Sequence, residues 1–201
     1  MLAYWSGDWE QAEAAWTAAK DRDTRAGDRL DGTLNAYWLG RVRRLLGACE
    51  AAKDALDEGL AVALQGPQLP AEVMLRTELA VLAADSGRLE AGRAELARCH
   101  EITGTGEDWR GLAGRVALAA GMLATAEGRP KEAGEAFAAA VKTFHAYACS
   151  WDEAEARCAW AKALPAGAGR HLETATSLYR RIGAGRRWVD WAAELAGKMA
   201  G

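Results

Sequence analysis

Histidine and cysteine are the residues of this sequence with the most recognisable chemistry, and they are few. His145 and Cys149 lie four residues apart, so on a helix they share a face, as two metal ligands would. Two ligands do not complete a metal site, and a partly buried histidine beside a core thiol has the same spacing. Cys99 and His100 are adjacent and therefore diverge on a helix, and His171 has no evident partner. We predict no metal site and no cofactor.

Motifs of the common enzyme classes are absent from the sequence. It contains no GxxxxGK[ST], HExxH or GxSxG pattern and no zinc-type cysteine spacing. Carboxylates are numerous, but they stand beside basic residues, as Glu132 does beside Lys131 and Asp152 does near Arg157. Such pairs are typical of solvated helix surfaces. We predict that the chain is not an enzyme.

Composition excludes several classes of partner. The formal net charge of −3 over 201 residues gives no basic field for nucleic acid. No segment approaches the roughly 20 apolar residues of a membrane span, and the N-terminus has no leader-peptide pattern. The four cysteines have no disulfide-framework spacing, which indicates reduced thiols. We predict a cytoplasmic protein with neither nucleic acid nor membrane as partner.

An internal repeat of about 40 residues positions all of these side chains. Turn glycines recur as Gly7, Gly47, Gly87 and Gly128, and Arg170 takes the turn position 42 residues after the last of them. Five residues after each turn position stands a small residue, and nine after it a large one. The small positions are Ala12, Ala52, Gly92, Ala133 and Ala175; the large ones are Trp16, Leu56, Leu96, Phe137 and Tyr179.

Each repeat has the pattern of two helices joined by a tight turn, which is the sequence signature of an α-solenoid. We predict an all-α fold over residues 1–201 as a single domain. It is expected to be a right-handed superhelix of about five helix-turn-helix repeats with a C-terminal capping helix at about 186–199. Capping boxes are predicted at Asp8 and Ser150. A further helix is predicted over 107–127, with Glu107 and Asp108 in its first turn.

The N-terminal repeat has an incomplete pattern, because only a helical stub, residues 2–6, precedes Gly7. We interpret the first repeat as truncated and the chain as starting inside a repeat. A missing half would leave the face that carries Trp5, Trp9 and Trp16 uncovered, so we expect self-association or fraying there. The nine tryptophans of the chain are interpreted as wedges between helices, with an aromatic ligand box as the alternative.

The stretch from Gly128 to Ala140 resembles the tetratricopeptide repeat, and Gly121 and Gly40 match the second glycine of that motif. The longer period is similar to that of MalT-like helical-repeat domains. Stretches 107–119, 150–156 and 179–185 resemble the C-terminal repeat region of bacterial signalling ATPases. These include LuxR-type regulators and fusions of an ATPase with a class III adenylate or guanylate cyclase. The resemblance implies a region that senses a ligand or partner and restrains the ATPase; the sequence itself carries no cyclase, ATPase or DNA-binding pattern.

In such solenoids the first helix of each pair lines the concave side. The inward positions counted back from the turns mix arginines with aromatic and thioether side chains, which suits an acidic peptide or an anionic small molecule. Alternatively, Arg41 and Arg44 pair with acids of neighbouring helices. The candidate groove residues are Tyr37, Arg41, Arg44, Met74, Thr77, Arg115, Met122, Arg157 and Trp160.

Two functions follow from this interpretation. The first is a non-catalytic protein-interaction or regulatory repeat domain, the C-terminal sensor or scaffold arm of a larger bacterial signalling ATPase or cyclase. The alternative is a sensor domain that closes around a small-molecule effector in its concave groove. A peptide scaffold predicts an open, wet groove, whereas a sensor predicts a closed pocket with apolar walls.

Overall fold

The computed structural model describes residues 2–66 and 68–200, and of residues 196–200 it describes the backbone alone. The described chain is all-α, which confirms that part of the predicted fold class, and no described residue lies in a β-strand. Its helices are α1 (Leu2–Ser6), α2 (Trp9–Ala26), α3 (Arg29–Leu45), α4 (Cys49–Ala63), α5 (Leu69–Asp85), α6 (Leu89–Thr103), α7 (Gly111–Ala126), α8 (Pro130–Ala146), α9 (Ser150–Ala163), α10 (Ala168–Arg181) and α11 (Arg186–Ala200).

The predicted turn glycines end helices in the left-handed backbone region. Gly47, Gly87 and Gly128 have φ values of 79°, 71° and 70°, a conformation that a side chain disfavours. The fifth turn is placed differently from the prediction. Arg170 lies inside α10, and Gly167, with φ of 82°, forms the turn instead. α10 therefore begins before the predicted position.

Side-chain caps explain where some helices begin. The Asp8 carboxylate accepts a hydrogen bond from the Gln11 N–H at 3.0 Å, as its capping box predicts. The predicted cap at Ser150 is wrong, because Cys149 is the N-cap and makes no side-chain cap bond. The start predicted for α7 is also wrong. Asp108 instead accepts bonds from the Arg110 N–H and the Tyr147 hydroxyl, and Arg110 adopts a φ of 48°, so the helix begins only after it.

The repeat positions are buried as the sequence pattern predicts. Ala52 and Leu56 are 0% and 1% exposed, and the equivalent Ala133 and Phe137 are both 0% exposed. The other small and large positions of the repeat are buried as well. Small residues let helices approach closely, and the large residue four positions later fills the space beside them.

The described chain forms two compact units. The first consists of residues 2–4 and 8–104, and the second of residues 5–7 and 105–200. In the first unit consecutive helices from α2 to α6 pack in order, and α3 also contacts α5. In the second unit α7 to α11 pack in order, with further contacts from α9 to α7 and to α11. The superhelical path and the single-domain assignment stay predictions.

The tryptophans at the N-terminal end are covered, so the predicted bare face is wrong. In the first unit Trp9 and Trp16 are 7% and 5% exposed, and Trp16 packs against the rings of Tyr4 and Trp38. Self-association through this end stays a prediction. The buried rings of Trp9 and Trp16 would contribute no exposed apolar surface to it.

The half-buried Trp5 belongs to the second unit. Its ring packs edge-on against Trp151 at 6.4 Å, and its carbonyl accepts a hydrogen bond from the Gly185 N–H at 2.8 Å. A C-terminal helix, α11, lies over the span predicted for the capping helix, and its capping role stays a prediction. Of its predicted apolar stripe, Trp188 is buried and Trp191 and Leu195 are half-buried, while Met199 lies outside the described side chains. None of the described helices combines the length and apolarity needed to cross a bilayer.

Candidate functional site

Three candidate groove residues of the first unit are closed to solvent. Arg41 is 0%, Tyr37 1% and Thr77 2% exposed. The Arg41 guanidinium lies 5.3 to 5.7 Å from the ring centroids of Tyr4, Tyr37 and Trp38, and it donates to the Tyr37 hydroxyl at 3.0 Å. Aromatic faces attract a cation, so these rings stabilise a buried charge that would otherwise be costly.

Glu78 on α5 neutralises this arginine and its neighbour. One carboxylate oxygen lies 3.4 Å from Arg41 Nε, and the other lies 3.5 Å from Arg44 Nε. Arg44 also reaches Asp85 at 3.5 Å. The alternative in which Arg41 and Arg44 pair with acids of a neighbouring helix therefore describes the observed contacts.

The arginines at groove positions of the second unit are paired in the same way. Arg115, 9% exposed, contacts Asp152 and lies 3.5 Å from Glu155, both on α9. Arg157 donates to Glu153 Oε1 at 2.8 and 2.9 Å. These contacts occupy both guanidinium groups with carboxylates of the chain itself.

The remaining candidates are half-buried packing residues. Met74 packs on the core cluster that contains Tyr37, and Met122 and Trp160 pack on the cluster that contains Phe137. Trp160 also stacks on His171 with 4.1 Å between ring centroids, so His171 does have a partner. Burial lowers the pKa of His171, which favours its neutral form. Most polar groups of the nine candidates are already engaged within the chain, and ligand binding by them stays a prediction.

The separation between partners is the signal that would have revealed these pairs. Asp152 follows Arg115 by 37 residues, and Glu78 follows Arg41 by the same separation. That distance is close to the repeat period and joins the first helices of successive repeats. A search for acids one period of 40 or 41 residues after each arginine would have found two further partners, Glu155 of Arg115 and Asp85 of Arg44.

The histidine and cysteine positions supply no assembled chemical site in the described part of the chain. His145 Nδ1 lies 3.2 Å from a Glu153 carboxylate oxygen. Burial raises the pKa of the Cys99 and Cys158 thiols to about 12, which keeps both protonated. Among the described residues no three side chains of the metal-binding types converge.

A cavity of about 410 Å³ opens in the first unit between the C-terminal halves of α2 and α4 and the N-terminal half of α3. Its size falls within the range of small-molecule sites. The walls are mostly apolar, and charged groups stand among them. Its lining residues are Lys20, Asp23, Thr24, Gly27, Asp28, Arg29, Gly32, Ala36, Glu58, Gly59, Ala61, Val62 and Gln65.

Exposed leucines stand at the same end of this unit. Leu30, Leu64 and Leu69 are 58%, 54% and 39% exposed, and we call them the leucine edge. Hydrogen bonds fix the three helix ends that carry them. Arg29 Nη2 donates to the Val62 carbonyl at 3.2 Å, and the Thr33 hydroxyl contacts Gln68 at 3.1 Å.

Sequence reasoning missed both features. The cavity depends on which helices diverge, and no spacing rule reveals that. One signal was available: the sequence places a glycine, Gly32, in the N-terminal half of α3, and a Cβ added there meets no atom within 4 Å.

Comparison with protein-family models finds no matching family, and comparison with curated proteins finds no related one.

Proposed function

We propose that this chain is a non-catalytic helical-repeat domain that binds a partner protein. In this proposal it forms a right-handed α-solenoid of the tetratricopeptide type and serves as the C-terminal sensor or scaffold arm of a larger bacterial signalling ATPase or cyclase in the cytoplasm. The five-fold recurrence of a buried small residue and a buried large residue four positions later supports the repeat architecture.

The observation that carries the proposal is the leucine edge. Large apolar side chains that stay exposed at one end of a packed unit mark interaction surfaces. The three leucines lie on helix ends that hydrogen bonds already hold in place. A partner that covers them would gain apolar burial without ordering a mobile segment.

A comparison of retained proteins tests this function. The chain and its Leu30→Asp/Leu64→Asp variant are immobilised, and the proteins that each retains from an extract of the source bacterium are quantified. We expect the chain to retain at least one ATPase- or cyclase-containing protein. The amount of that protein retained by the variant should be lower by at least about tenfold, because a charge at each leucine opposes burial.

Ile182→Asp is the matched control, because Ile182 is 38% exposed at the end of α10 in the other unit. It should retain the same protein as the unaltered chain. Equal retention by all three chains would contradict binding through the leucine edge.

The cavity supports a second candidate function, a sensor for a small-molecule effector. About 410 Å³ of space with mostly apolar walls is what a ligand pocket requires. This site differs in position from the concave groove that the sequence predicts, because none of the nine candidate groove residues lines it.

A further inference from the structure

The α3 side of the cavity, which we call its floor, is lined by the small residues Gly32 and Ala36. Gly32 and Ala36 stand one helical turn apart on α3, and a Cβ at Gly32 would point into open space. Val62 and Ala61 of α4 form the apolar wall. The space therefore fits a compact aliphatic group, which would displace water from apolar surface.

Most of the charge around the cavity is already neutralised. Lys20 pairs with Glu58, which joins α2 to α4. The buried Asp23 accepts one hydrogen bond from Asn35 Nδ2 at 2.6 Å and another from Arg22 Nε at 2.9 Å. Because Lys20, Glu58 and Asp23 already have partners in the chain, they offer a charged ligand few free hydrogen-bonding positions.

Two other charged side chains at the cavity, those of Arg29 and Asp28, still have atoms that can hydrogen-bond to a ligand. Arg29 is exposed, uses one Nη2–H on the Val62 carbonyl, and has no carboxylate partner within the described part of the chain. Asp28 is also exposed, and one of its carboxylate oxygens accepts the Asp31 N–H at 3.1 Å, which leaves the other for a ligand. A guanidinium binds a carboxylate, and a carboxylate accepts from an ammonium or amide N–H.

We propose that this cavity binds an aliphatic amino acid or a short aliphatic peptide. The ligand carboxylate contacts Arg29, its amino or amide N–H donates to Asp28, and its aliphatic side chain lies over Gly32 against Val62. The adjacent opposite charges fit a ligand that carries both kinds of group better than a simple anion, because Asp28 would repel the latter. The inference rests on the sensor function proposed above.

Protein-observed NMR titration tests the proposal with four probes: leucine, the dipeptide Ala-Leu, 4-methylpentanoate, which lacks the N–H, and 4-methylpentan-1-ol, which has neither group. The variants are Arg29→Gln, which removes the guanidinium, and Gly32→Leu, which fills the floor while raising helix propensity. Arg25→Gln and Gly169→Leu are the matched controls. Among the described residues Arg25, which is exposed, bonds a backbone carbonyl alone, and a Cβ at Gly169 meets no atom within 4 Å.

We expect leucine or Ala-Leu to shift amide signals of residues 20–36 and 58–65, and whichever binds more tightly identifies a free amino acid or a peptide as the source. Arg29→Gln should weaken binding at least about tenfold, and Gly32→Leu should abolish it, while both controls bind as the unaltered chain does. Equal binding of the alcohol would overturn the ligand class but leave the sensor function standing. No shift with any probe at tens of millimolar would overturn both, and unchanged binding by Gly32→Leu would overturn the location.

Discussion

At the scale of single residues, burial decides the role of the arginines more than residue type does. Arg41 has the side chain expected of a ligand-binding residue, yet it is surrounded by aromatic rings and faces Glu78. A buried charge with its partner in place contributes modestly to stability, but removing one partner leaves the other uncompensated. Arg41 is therefore a structural residue in the first unit.

Replacing Glu78 with glutamine tests that role. The change leaves two arginines facing a neutral amide, so we expect the free energy of unfolding to fall by about 3–5 kcal/mol in urea denaturation. Glu13→Gln is the control, because Glu13 pairs with Arg43 at a more exposed position, and it should cost under about 1 kcal/mol. Similar small losses for both variants would show that the charge of Glu78 is not needed.

At the scale of helices, two of the helix pairs have a close contact between a glycine and the large repeat residue. A Cβ at Gly121 of α7 would lie 2.8 Å from Phe137 of α8, and a Cβ at Gly40 of α3 would overlap Leu56 of α4. These are the glycines that match the tetratricopeptide motif. The structure gives them a physical reason: only glycine lets the first helix approach the large side chain of the second this closely.

A double-mutant cycle between Gly121 and Phe137 tests this contact. Phe137→Ala should lower the free energy of unfolding by about 3–5 kcal/mol, because a fully buried ring leaves a cavity. Gly121→Ala should cost about 1–3 kcal/mol in the unaltered chain but much less beside Ala at position 137, where the added methyl has room. Gly134→Ala is the control, since its Cβ would meet Leu164 at an ordinary 3.4 Å. Strict additivity would contradict the contact.

Sequence reasoning was accurate where a feature depends on nearby residues. The turn glycines and the buried repeat positions follow from backbone preference and helical spacing, which a local pattern records. It was inaccurate where partners are distant in the chain. The burial of Trp16 depends on Tyr4 and Trp38, and the late start of α7 depends on a bond from Asp108 to Tyr147. The predicted groove arginines were identified by position, but the acids that pair with Arg41, Arg44 and Arg115 lie on other helices.

At the scale of the whole molecule, each compact unit contains one fully buried thiol. Cys99 lies in the first and Cys158 in the second, and burial raises the pKa of each to about 12. The other two cysteines, Cys49 and Cys149, are half-buried. The buried thiols therefore report the opening of their own unit.

Thiol alkylation at pH 8 should modify Cys49 and Cys149 well before Cys99 and Cys158, whereas in urea all four should react at similar rates. The thiolate is the reacting form, and it is both scarce and inaccessible at the buried positions. Peptide mass spectrometry of timed samples measures the four rates. Native-state labelling of Cys99 or Cys158 as fast as Cys49 would show that the corresponding unit is not closed.

The central claim is that a protein partner binds the leucine edge while the predicted groove arginines hold the fold. Site-specific photo-crosslinking tests it most directly. A photoreactive residue replaces Gln65, beside Leu64, or Lys162, an exposed residue of α9 five positions after Arg157 in the sequence. We predict crosslinks to one partner from position 65, suppressed by excess unlabelled chain but not by its Leu30→Asp/Leu64→Asp variant. Crosslinks from position 162 alone, or equal suppression by both competitors, would contradict the claim.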